Sequence, residues 1–200
     1  MKRISFKDSG GLNLTQAVLS GRKTMTRRAV PEWVERNAMV YAISQGEDTR
    51  VKDYFRLKFA HILGHSPYKV GDVVAVHRAY RDIPLIRFCF SYHLSWLIRL
   101  AGWANKMFVK ASVMPHHHIR ITDVRVERLQ LIPYEDCLRE GVIGFTSGDN
   151  PCKLYNFAGN EDTAYLTPRN AFAALIDKVS GRGTWNSNPL VWVYSFELVD

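Results

Sequence analysis

The C-terminal segment reads Leu190-Val191-Trp192-Val193-Tyr194-Ser195-Phe196-Glu197-Leu198-Val199 and is the last predicted strand of the chain. Six of its ten residues are β-branched or aromatic, the residue types that strands favour. A strand with one face in water alternates apolar and polar residues, whereas this run is apolar at almost every position. We therefore predict a strand that is covered on both faces.

A second predicted strand, over residues 119–126, changes its alternation halfway along. Its apolar residues fall into two pairs of opposite parity, Ile119 with Ile121 and Val124 with Val126. Side chains of a strand alternate between two faces, so a one-residue slip near Thr122-Asp123 is needed to keep all four on one face. Such a slip is a β-bulge, which bends a strand as small barrels require.

Turn and capping residues mark the other predicted elements. A first strand is expected at residues 4–6, and the turn at Gly71-Asp72 precedes a strand at residues 73–76. Helices are expected at residues 14–20 between Asn13 and Gly21, at residues 133–139 before Gly141, and from Thr167-Pro168 to Gly181. In the last helix, the residues expected to face inward are Phe172, Leu175, Ile176 and Val179.

Three further segments complete the predicted architecture. Residues 40–59 favour a hairpin with a polar turn at residues 45–48, although Phe55, Phe59 and Ile62 also fit one face of a helix over residues 54–62. Residues 84–118 are typical of an insertion, and residues 144–166, rich in Gly, Asn and Asp, of a long surface loop. Together the elements predict a single α+β domain over residues 1–200, built around a small mixed or antiparallel β-barrel with flanking helices.

Composition narrows the class of protein. The 200 residues are 46% hydrophobic and 12% aromatic, which excludes a disordered chain, and the net charge of +8 favours polyanionic partners, with nucleic acid first. The most apolar stretch, residues 94–101, is interrupted by Arg99 and too short to cross a bilayer. The three cysteines are scattered and the N-terminus lacks a secretion signal, so we expect a cytoplasmic protein.

The segment Gly21-Arg22-Lys23-Thr24-Met25-Thr26-Arg27-Arg28 carries the most chemistry, since it holds four cations and two hydroxyls in eight residues. It follows a predicted helix that Gly21 ends. A cationic loop projected from a helix end suits an anionic ligand, because Lys and Arg supply charge and donors. A solvated basic loop without a ligand is the alternative.

These landmarks together resemble the ASCH domain, a branch of the PUA-like β-barrels, and their order is that of ASCH proteins of phages and mobile elements. The matching segments are Gly21 to Arg28, Tyr68-Lys69-Val70-Gly71-Asp72, Met114-Pro115, Ile121 to Leu129, Asp136 to Gly141 and Pro189 to Phe196. They span nearly the whole chain. The resemblance implies a PUA-like barrel with a basic cleft beside it.

The resemblance implies RNA or a modified nucleoside as the ligand of that cleft. The residues we predict to bind nucleic acid are Arg22, Lys23, Thr24, Arg27, Arg28, Arg78, Tyr80 and Trp185. Relatives often carry an acidic residue and an aromatic one after the Gly-Asp strand. Here that stretch is His77-Arg78-Ala79-Tyr80, so the aromatic is kept and a cation replaces the carboxylate.

A subset of the family implies an alternative, an amidohydrolase that cleaves N4-acetylcytidine. Its Lys, Thr and Glu correspond to Lys23, Thr26 and Glu140 in this chain. A Thr hydroxyl attacks an amide only when a base removes its proton, and a Lys is that base only if its pKa is lowered. Neighbouring arginines favour this, whereas Glu140 opposes it and could instead position water or shuttle protons.

We expect neither a metal nor a cofactor. Adjacent residues His116, His117 and His118 point to alternate faces of an extended segment, so at most two could share one metal, and no carboxylate partner is evident. The expected partner is RNA or a modified nucleoside, with DNA as an alternative and no membrane. A third hypothesis is a phage or mobile-element accessory protein that binds another protein through the insertion.

Overall fold

The computed structural model describes residues 2–8, 12–45, 51–77, 117–146, 152–157 and 163–199, with residues 51 and 52 as backbone alone. The predicted insertion lies outside this part of the chain except for residues 117 and 118, and so do Arg78 and Tyr80. The helices are α1 (Leu14–Leu19), α2 (Glu32–Ser44), α3 (Val51–Gly64), α4 (Tyr134–Arg139), α5 (Pro168–Ser180) and α6 (Thr184–Ser187). The strands are β1 (Lys2–Ile4), β2 (Met25–Ala29), β3 (Val73–Val76), β4 (His118–Arg128), β5 (Val142–Thr146), β6 (Lys153–Phe157) and β7 (Leu190–Leu198).

Five of these strands form one mixed sheet, in the order β1-β3-β4-β7-β2. Strand β1 runs parallel to β3, and the other neighbours are antiparallel. Strand β7 lies between β4 and β2, and its residues 190–196 are buried. The prediction of a strand covered on both faces is therefore confirmed.

The alternation of β7 divides the core into two clusters, one on each face of the sheet. Val191 and Val193 belong to a cluster with Met25 that α5 covers through Phe172 and Leu175. The other cluster lies against α2 and α3, and it contains Trp192, Tyr194 and Phe196 of β7, Ile119 and Ile121 of β4, and Val34, Ala38 and Ile62. We call these the α5 face and the α2–α3 face.

The predicted bulge in β4 is confirmed. Ile121 pairs with Phe196 and Asp123 pairs with Ser195, so one residue of β4 is inserted between consecutive positions of β7. The slip keeps Val124 opposite Tyr194, and Val124 consequently packs against the same cluster as Ile121. The bulge thus preserves one continuous apolar face along an eleven-residue strand.

Residues 40–59 do not form the predicted hairpin. Residues 40–44 belong to α2 and residues 51–59 to α3, two helices that pack against each other, and the alternative helix over residues 54–62 is the one observed. The predicted turn at residues 45–48 lies outside the described residues except for residue 45. Val34, Ala38 and Ala42 recur at a spacing of four and are buried, which is the pattern of a helix face. Val40 and Ile43 belonged to the predicted strand because they are apolar. In the structure they are exposed on the surface of the helix.

The segment predicted as a long loop at residues 144–166 contains regular structure. Strands β5 and β6 pair from Val142 opposite Phe157 to Thr146 opposite Lys153, and Tyr155 bridges to Tyr165. Phe157 is buried in the α5-face cluster, so this hairpin is anchored to the core by its aromatic residues. The first strand also begins earlier than predicted, at Lys2.

The fold is α+β, as predicted, but no closed barrel is found among the strands that the structure describes. The edge strands β1 and β2 nevertheless approach each other across the α2–α3 face. Arg28 of β2 donates through Nη2 to the backbone carbonyl of Ser5, the residue after β1. The guanidinium carbon of Arg28 lies 5.8 Å from the centre of the Phe6 ring. We call this approach of the two edges the seam.

No helix within the described ranges is both long enough and apolar enough to cross a membrane.

Capping at the helix N-termini gives a matched test of the fold. Thr167 caps α5 by accepting a hydrogen bond from the Asn170 amide at 3.2 Å, whereas Asn13 before α1 makes no side-chain capping bond. We expect Thr167→Ala to lower the free energy of unfolding by about 1 kcal/mol, and Thr167→Ser to keep most of it.

Urea denaturation measures this difference, with Asn13→Ala as the control at an N-cap whose side chain caps nothing. We expect the control to change the midpoint by less than Thr167→Ala does. Equal losses for the two alanine variants would contradict the capping role of Thr167.

Candidate functional site

The cationic motif is not a solvated loop. Residues 25–29 form the edge strand β2, and Lys23, Thr26 and Arg27 are buried, with 3%, 5% and 5% of their surface exposed. Alternation along the strand sends Met25 and Arg27 to the α5 face, and Thr26 and Arg28 to the α2–α3 face. The motif therefore contributes side chains to both faces of the sheet.

Lys23 and Glu140 form a buried ion pair on the α5 side. The Lys23 ammonium lies 2.5 Å from Glu140 Oε2 and also donates to the Glu140 backbone carbonyl at 2.8 Å. Glu140 follows the last residue of α4, and the Thr24 amide donates to the Arg139 carbonyl at 2.9 Å, which holds the two segments together. Gly141, with a φ of +106°, follows and lies against Lys23, since a Cβ at this position would be 3.9 Å from the Lys23 side chain.

Arg27 occupies the centre of the same network. Its guanidinium contacts Glu127 at 2.6 Å, Asp136 at 2.8 Å and Glu140 at 3.1 Å, and its side chain has no exposed surface. Arg125 lies two strands away, opposite the same residue of β7, and shares Asp136 with Arg27. The carboxylates of Glu127, Asp136 and Glu140 thus balance the positive charges of Lys23, Arg27 and Arg125.

This burial bears on the role of Arg27. The sequence left two roles open for Arg27, binding of phosphate and bracing of the fold through carboxylates, and the observed contacts with Glu127, Asp136 and Glu140 are those of the second role. A charge with several carboxylate partners is the form in which proteins tolerate burial. Arg27 therefore braces strand β2 against β4 and α4.

The pKa values of the network follow from burial and neighbouring charge. Burial lowers the pKa of Lys23, and the charges of Arg28 and Arg27 add to this, whereas Glu140 opposes it. Burial alone would also lower the pKa of Arg27, but Glu140, Asp136 and Glu127 together raise it. Lys23 is thus the one of these two cations whose proton is held less tightly than usual.

Thr26 makes no hydrogen bond to Lys23 or Glu140 in the part of the chain that the structure describes. It pairs with Tyr194 in the register between β2 and β7, which places it on the α2–α3 face, opposite to Arg27 and its contacts with Glu140. Within the described part of the chain, its hydroxyl makes no hydrogen bond. The predicted trio is brought together only in part, as a Lys23–Glu140 pair.

A cavity of about 450 Å³ opens at the seam, on the α2–α3 face. The residues that line it are Arg3, Ile4, Ser5, Arg28, Pro67, Tyr68, His77 and Trp192. They come from β1 and β2 at the two edges of the sheet, from β7, and from the segments before and after β3. The approach of β1 to β2 therefore creates the cavity.

Hydrogen bonds fix the walls of this cavity. The Tyr68 hydroxyl donates to the Arg3 carbonyl at 2.7 Å, and the Tyr68 ring meets Tyr194 edge-on with centroids 5.2 Å apart. Trp192 donates its indole N–H to the Ile62 carbonyl at 3.0 Å, so its ring presents apolar surface. Both aromatic side chains are positioned before any ligand arrives.

The charge of the cavity is positive. Arg3 and Arg28 line it, no Asp or Glu does, and neither arginine has an ion-pair partner among the described residues. Burial lowers the pKa of His77, and the charge of the nearby Arg3 lowers it further. The positive charge of the lining is thus held by the two guanidinium groups.

Arg22, Thr24 and Trp185, three of the predicted binding residues that the structure describes, are not among the lining residues of the cavity. Arg22 is exposed and donates to Ser20 at 3.1 Å, and Thr24 accepts from Arg139 at 3.4 Å. Trp185 packs edge-on against Phe172, with the Arg169 guanidinium 5.2 Å from its ring centre, so it belongs to the α5 face. Of the predicted binding residues within the described ranges, Arg28 is the one that lines the cavity.

Four lining residues were missed by the sequence analysis as binding residues: Arg3, Tyr68, His77 and Trp192. Two of them, Tyr68 and His77, flank the turn and strand of the ASCH-like segment, which is a signal that could have identified them. No sequence motif distinguishes Arg3 or Trp192 as a binding residue, since each lies within a strand, β1 or β7. In the described residues, no group of His, Cys, Asp and Glu is arranged to hold a metal ion.

Comparison with known proteins adds little to this geometry. No family model matches the chain, and no curated protein is similar to it in sequence. Among solved structures, the chain is similar to a protein from Enterococcus faecalis described by the family model DUF984. The identity is 14% over 100% of this chain and 77% of the other, with a TM-score of 0.41, so the likeness carries no argument.

The buried network predicts a large cost for removing Glu140. Glu140→Gln leaves Lys23 and part of Arg27 without a compensating charge in a buried site, and we expect a loss of about 3–5 kcal/mol in the free energy of unfolding. Urea denaturation measures it.

Glu197→Gln is the matched control, because Glu197 pairs with Arg120 at 3.3 Å on the surface, where both side chains are about half exposed. Exposed pairs contribute about 0–1 kcal/mol. A loss for Glu140→Gln no larger than that of the control would show that the buried pair does not stabilise the fold.

Proposed function

We propose that this protein binds RNA or a modified nucleoside in the cavity at the seam, as an ASCH protein of the PUA-like class would in its basic cleft. The observation that supports the proposal is the cavity itself, where Arg3 and Arg28 lie beside aromatic walls without carboxylate partners among the described residues. The approach of β1 and β2 through Arg28 and Ser5 is what supports the PUA-like barrel assignment.

The chemistry of the lining suits a nucleic-acid ligand. Guanidinium groups bind phosphate through paired N–H donors, and aromatic rings provide faces and edges for bases. The net charge of +8 would attract such a ligand from a distance.

Binding is favoured over hydrolysis by the position of Thr26. The hypothesis of an amidohydrolase needs its hydroxyl beside Lys23, whereas the register places it on the other face from Arg27 and Glu140. The cavity that accepts a ligand is lined by Arg28, and neither Lys23 nor Glu140 is among its lining residues. DNA is the alternative ligand. A protein partner that binds residues 84–118 is the third hypothesis, and most of this segment lies outside the described residues.

RNA binding should depend on Arg28 and on salt. We expect Arg28→Ala to weaken the binding of a labelled single-stranded RNA by roughly tenfold, because one charge-assisted phosphate contact is lost. The slope of log affinity against log salt concentration should flatten by roughly 0.7, the value for one phosphate on a single strand. Fluorescence anisotropy over a salt series measures both.

Arg120→Ala is the control, since Arg120 is exposed and paired with Glu197 far from the cavity lining. It removes the same charge, and we expect little change in affinity. Absence of RNA binding at low salt, or equal effects of the two variants, would contradict the proposal. A double-stranded DNA probe in the same assay tests the alternative ligand.

We also propose a second function, hydrolysis of N4-acetylcytidine to cytidine and acetate. The specific observation in its favour is that Lys23 and Glu140 are in direct contact in a buried site, where the pKa of Lys23 is lowered. A Lys that releases its proton readily can act as a general base, and Glu140 could hold that proton or position water. Binding of substrate would have to bring Thr26 and Lys23 together.

If this hydrolysis occurs, Thr26→Ala and Lys23→Ala should each abolish most of it. The double variant should be little worse than the worse single one, because members of one catalytic unit are not additive. Thr26→Ser should keep part of the rate, since its hydroxyl survives. Chromatographic detection of cytidine measures the rate, and an intact substrate with the wild-type protein would leave binding as the function.

A further inference from the structure

Two arginines with available donors line one small cavity. Arg28 uses Nη2 on the Ser5 carbonyl, and among the described residues it makes no other hydrogen bond. A guanidinium carries five N–H donors, so most of those of Arg28 remain available to a ligand. Arg3 lies close enough to His77 to lower its pKa and makes no side-chain hydrogen bond in the same part of the chain.

The positions of these groups are set by the protein rather than by a ligand. The Arg28 guanidinium is held between the Ser5 carbonyl and the Phe6 ring, and the Arg3 backbone is held by the Tyr68 hydroxyl. A pre-positioned guanidinium loses less entropy when it binds an anion, which favours affinity. The Arg28 guanidinium is therefore a fixed feature of the cavity, whereas Arg3 is fixed at its backbone and its side chain is exposed.

The size and charge of the cavity select one kind of ligand. A volume of about 450 Å³ lies near the lower end of the roughly 300–1,000 Å³ range of small-molecule sites, which suits one nucleotide rather than a run of bases. The lining carries two positive charges and no carboxylate. A terminal phosphate has a charge of roughly −1.5 to −2 at pH 7, whereas an internal phosphodiester carries a single negative charge.

We infer that the cavity takes a single nucleotide with a terminal phosphate, which Arg3 and Arg28 bind while the base lies against Tyr68, His77 and Trp192. This inference rests on the proposed function, because it names the ligand of the same site. The shared chemistry is a phosphate monoester on a nucleoside. A free nucleoside monophosphate and the phosphorylated end of an RNA both supply it.

Isothermal titration calorimetry of the full chain distinguishes these ligands. The probes are the four ribonucleoside 5′-monophosphates, the four nucleosides, and inorganic phosphate. We expect at least one monophosphate to bind at least tenfold more tightly than its nucleoside and than phosphate. Equal affinity of each nucleoside and its monophosphate would overturn the inference.

Variants assign the effect to the cavity. Arg3→Ala and Arg28→Ala should each reduce monophosphate affinity at least tenfold while changing nucleoside affinity less than twofold, and Arg28→Lys should retain part of it. Arg120→Ala is the matched control and should bind as the wild type does. Circular dichroism of each variant verifies that it is folded, and unchanged monophosphate binding by folded Arg3→Ala and Arg28→Ala would also overturn the inference.

A short RNA with either a 5′-phosphate or a 5′-hydroxyl separates the two sources of the ligand. Tighter binding of the phosphorylated RNA supports an RNA end, and tight binding of the free monophosphate alone supports a mononucleotide. RNA that binds equally well with either end, without monophosphate binding, would overturn this inference and leave the proposed function intact. Failure of RNA, nucleosides and nucleotides alike would overturn both.

Discussion

The double burial of strand β7 is the constraint on which the rest of the structure depends. Every one of its residues from 190 to 196 must face protein, so helix α5 covers one side and helices α2 and α3 cover the other. The side chains of β4 and β2 are divided between the same two faces, because residues that pair across a sheet share a face. Strand β2 carries the polar motif at the edge of this sheet, and its alternation decides which side chains are enclosed with which.

That division gives the two faces of the sheet different electrostatics. On the α5 face, the positive charges of Lys23, Arg27 and Arg125 are balanced by the carboxylates of Glu127, Asp136 and Glu140. On the other face, Arg28 meets a carbonyl and an aromatic ring, and among the described residues its charge has no carboxylate partner. One strand thus provides a cation with three carboxylate partners and, at the next position, the cation that we propose binds the ligand.

Residue type and spacing along the sequence were sufficient to predict the elements that depend on neighbouring residues alone. The cap at Thr167, the stop at Gly21, the β4 bulge and the fully apolar β7 all follow from residue type and spacing. The α2–α3 pair was mistaken for a hairpin because Phe55, Leu57 and Phe59 alternate as a strand does, and the burial of Ile62 that identifies the helix face is a tertiary contact. The partners of Arg27 come from residues 127, 136 and 140, and the two arginines of the cavity are 25 positions apart, so no spacing rule could have joined them.

The seam has a consequence for the behaviour of the protein at high concentration. Each edge strand of an open sheet offers unpaired N–H and C=O groups on which another chain can assemble, and proteins protect such edges with short strands, charged residues or coverage. Here β1 has three residues, β2 carries two arginines, and the Arg28 side chain ties the two edges to each other. The contact between Arg28 and Ser5 shapes the cavity, and we expect it also to protect the sheet against edge-to-edge aggregation. A variant that breaks this contact would expose both edge strands, β1 and β2, to pairing with other chains.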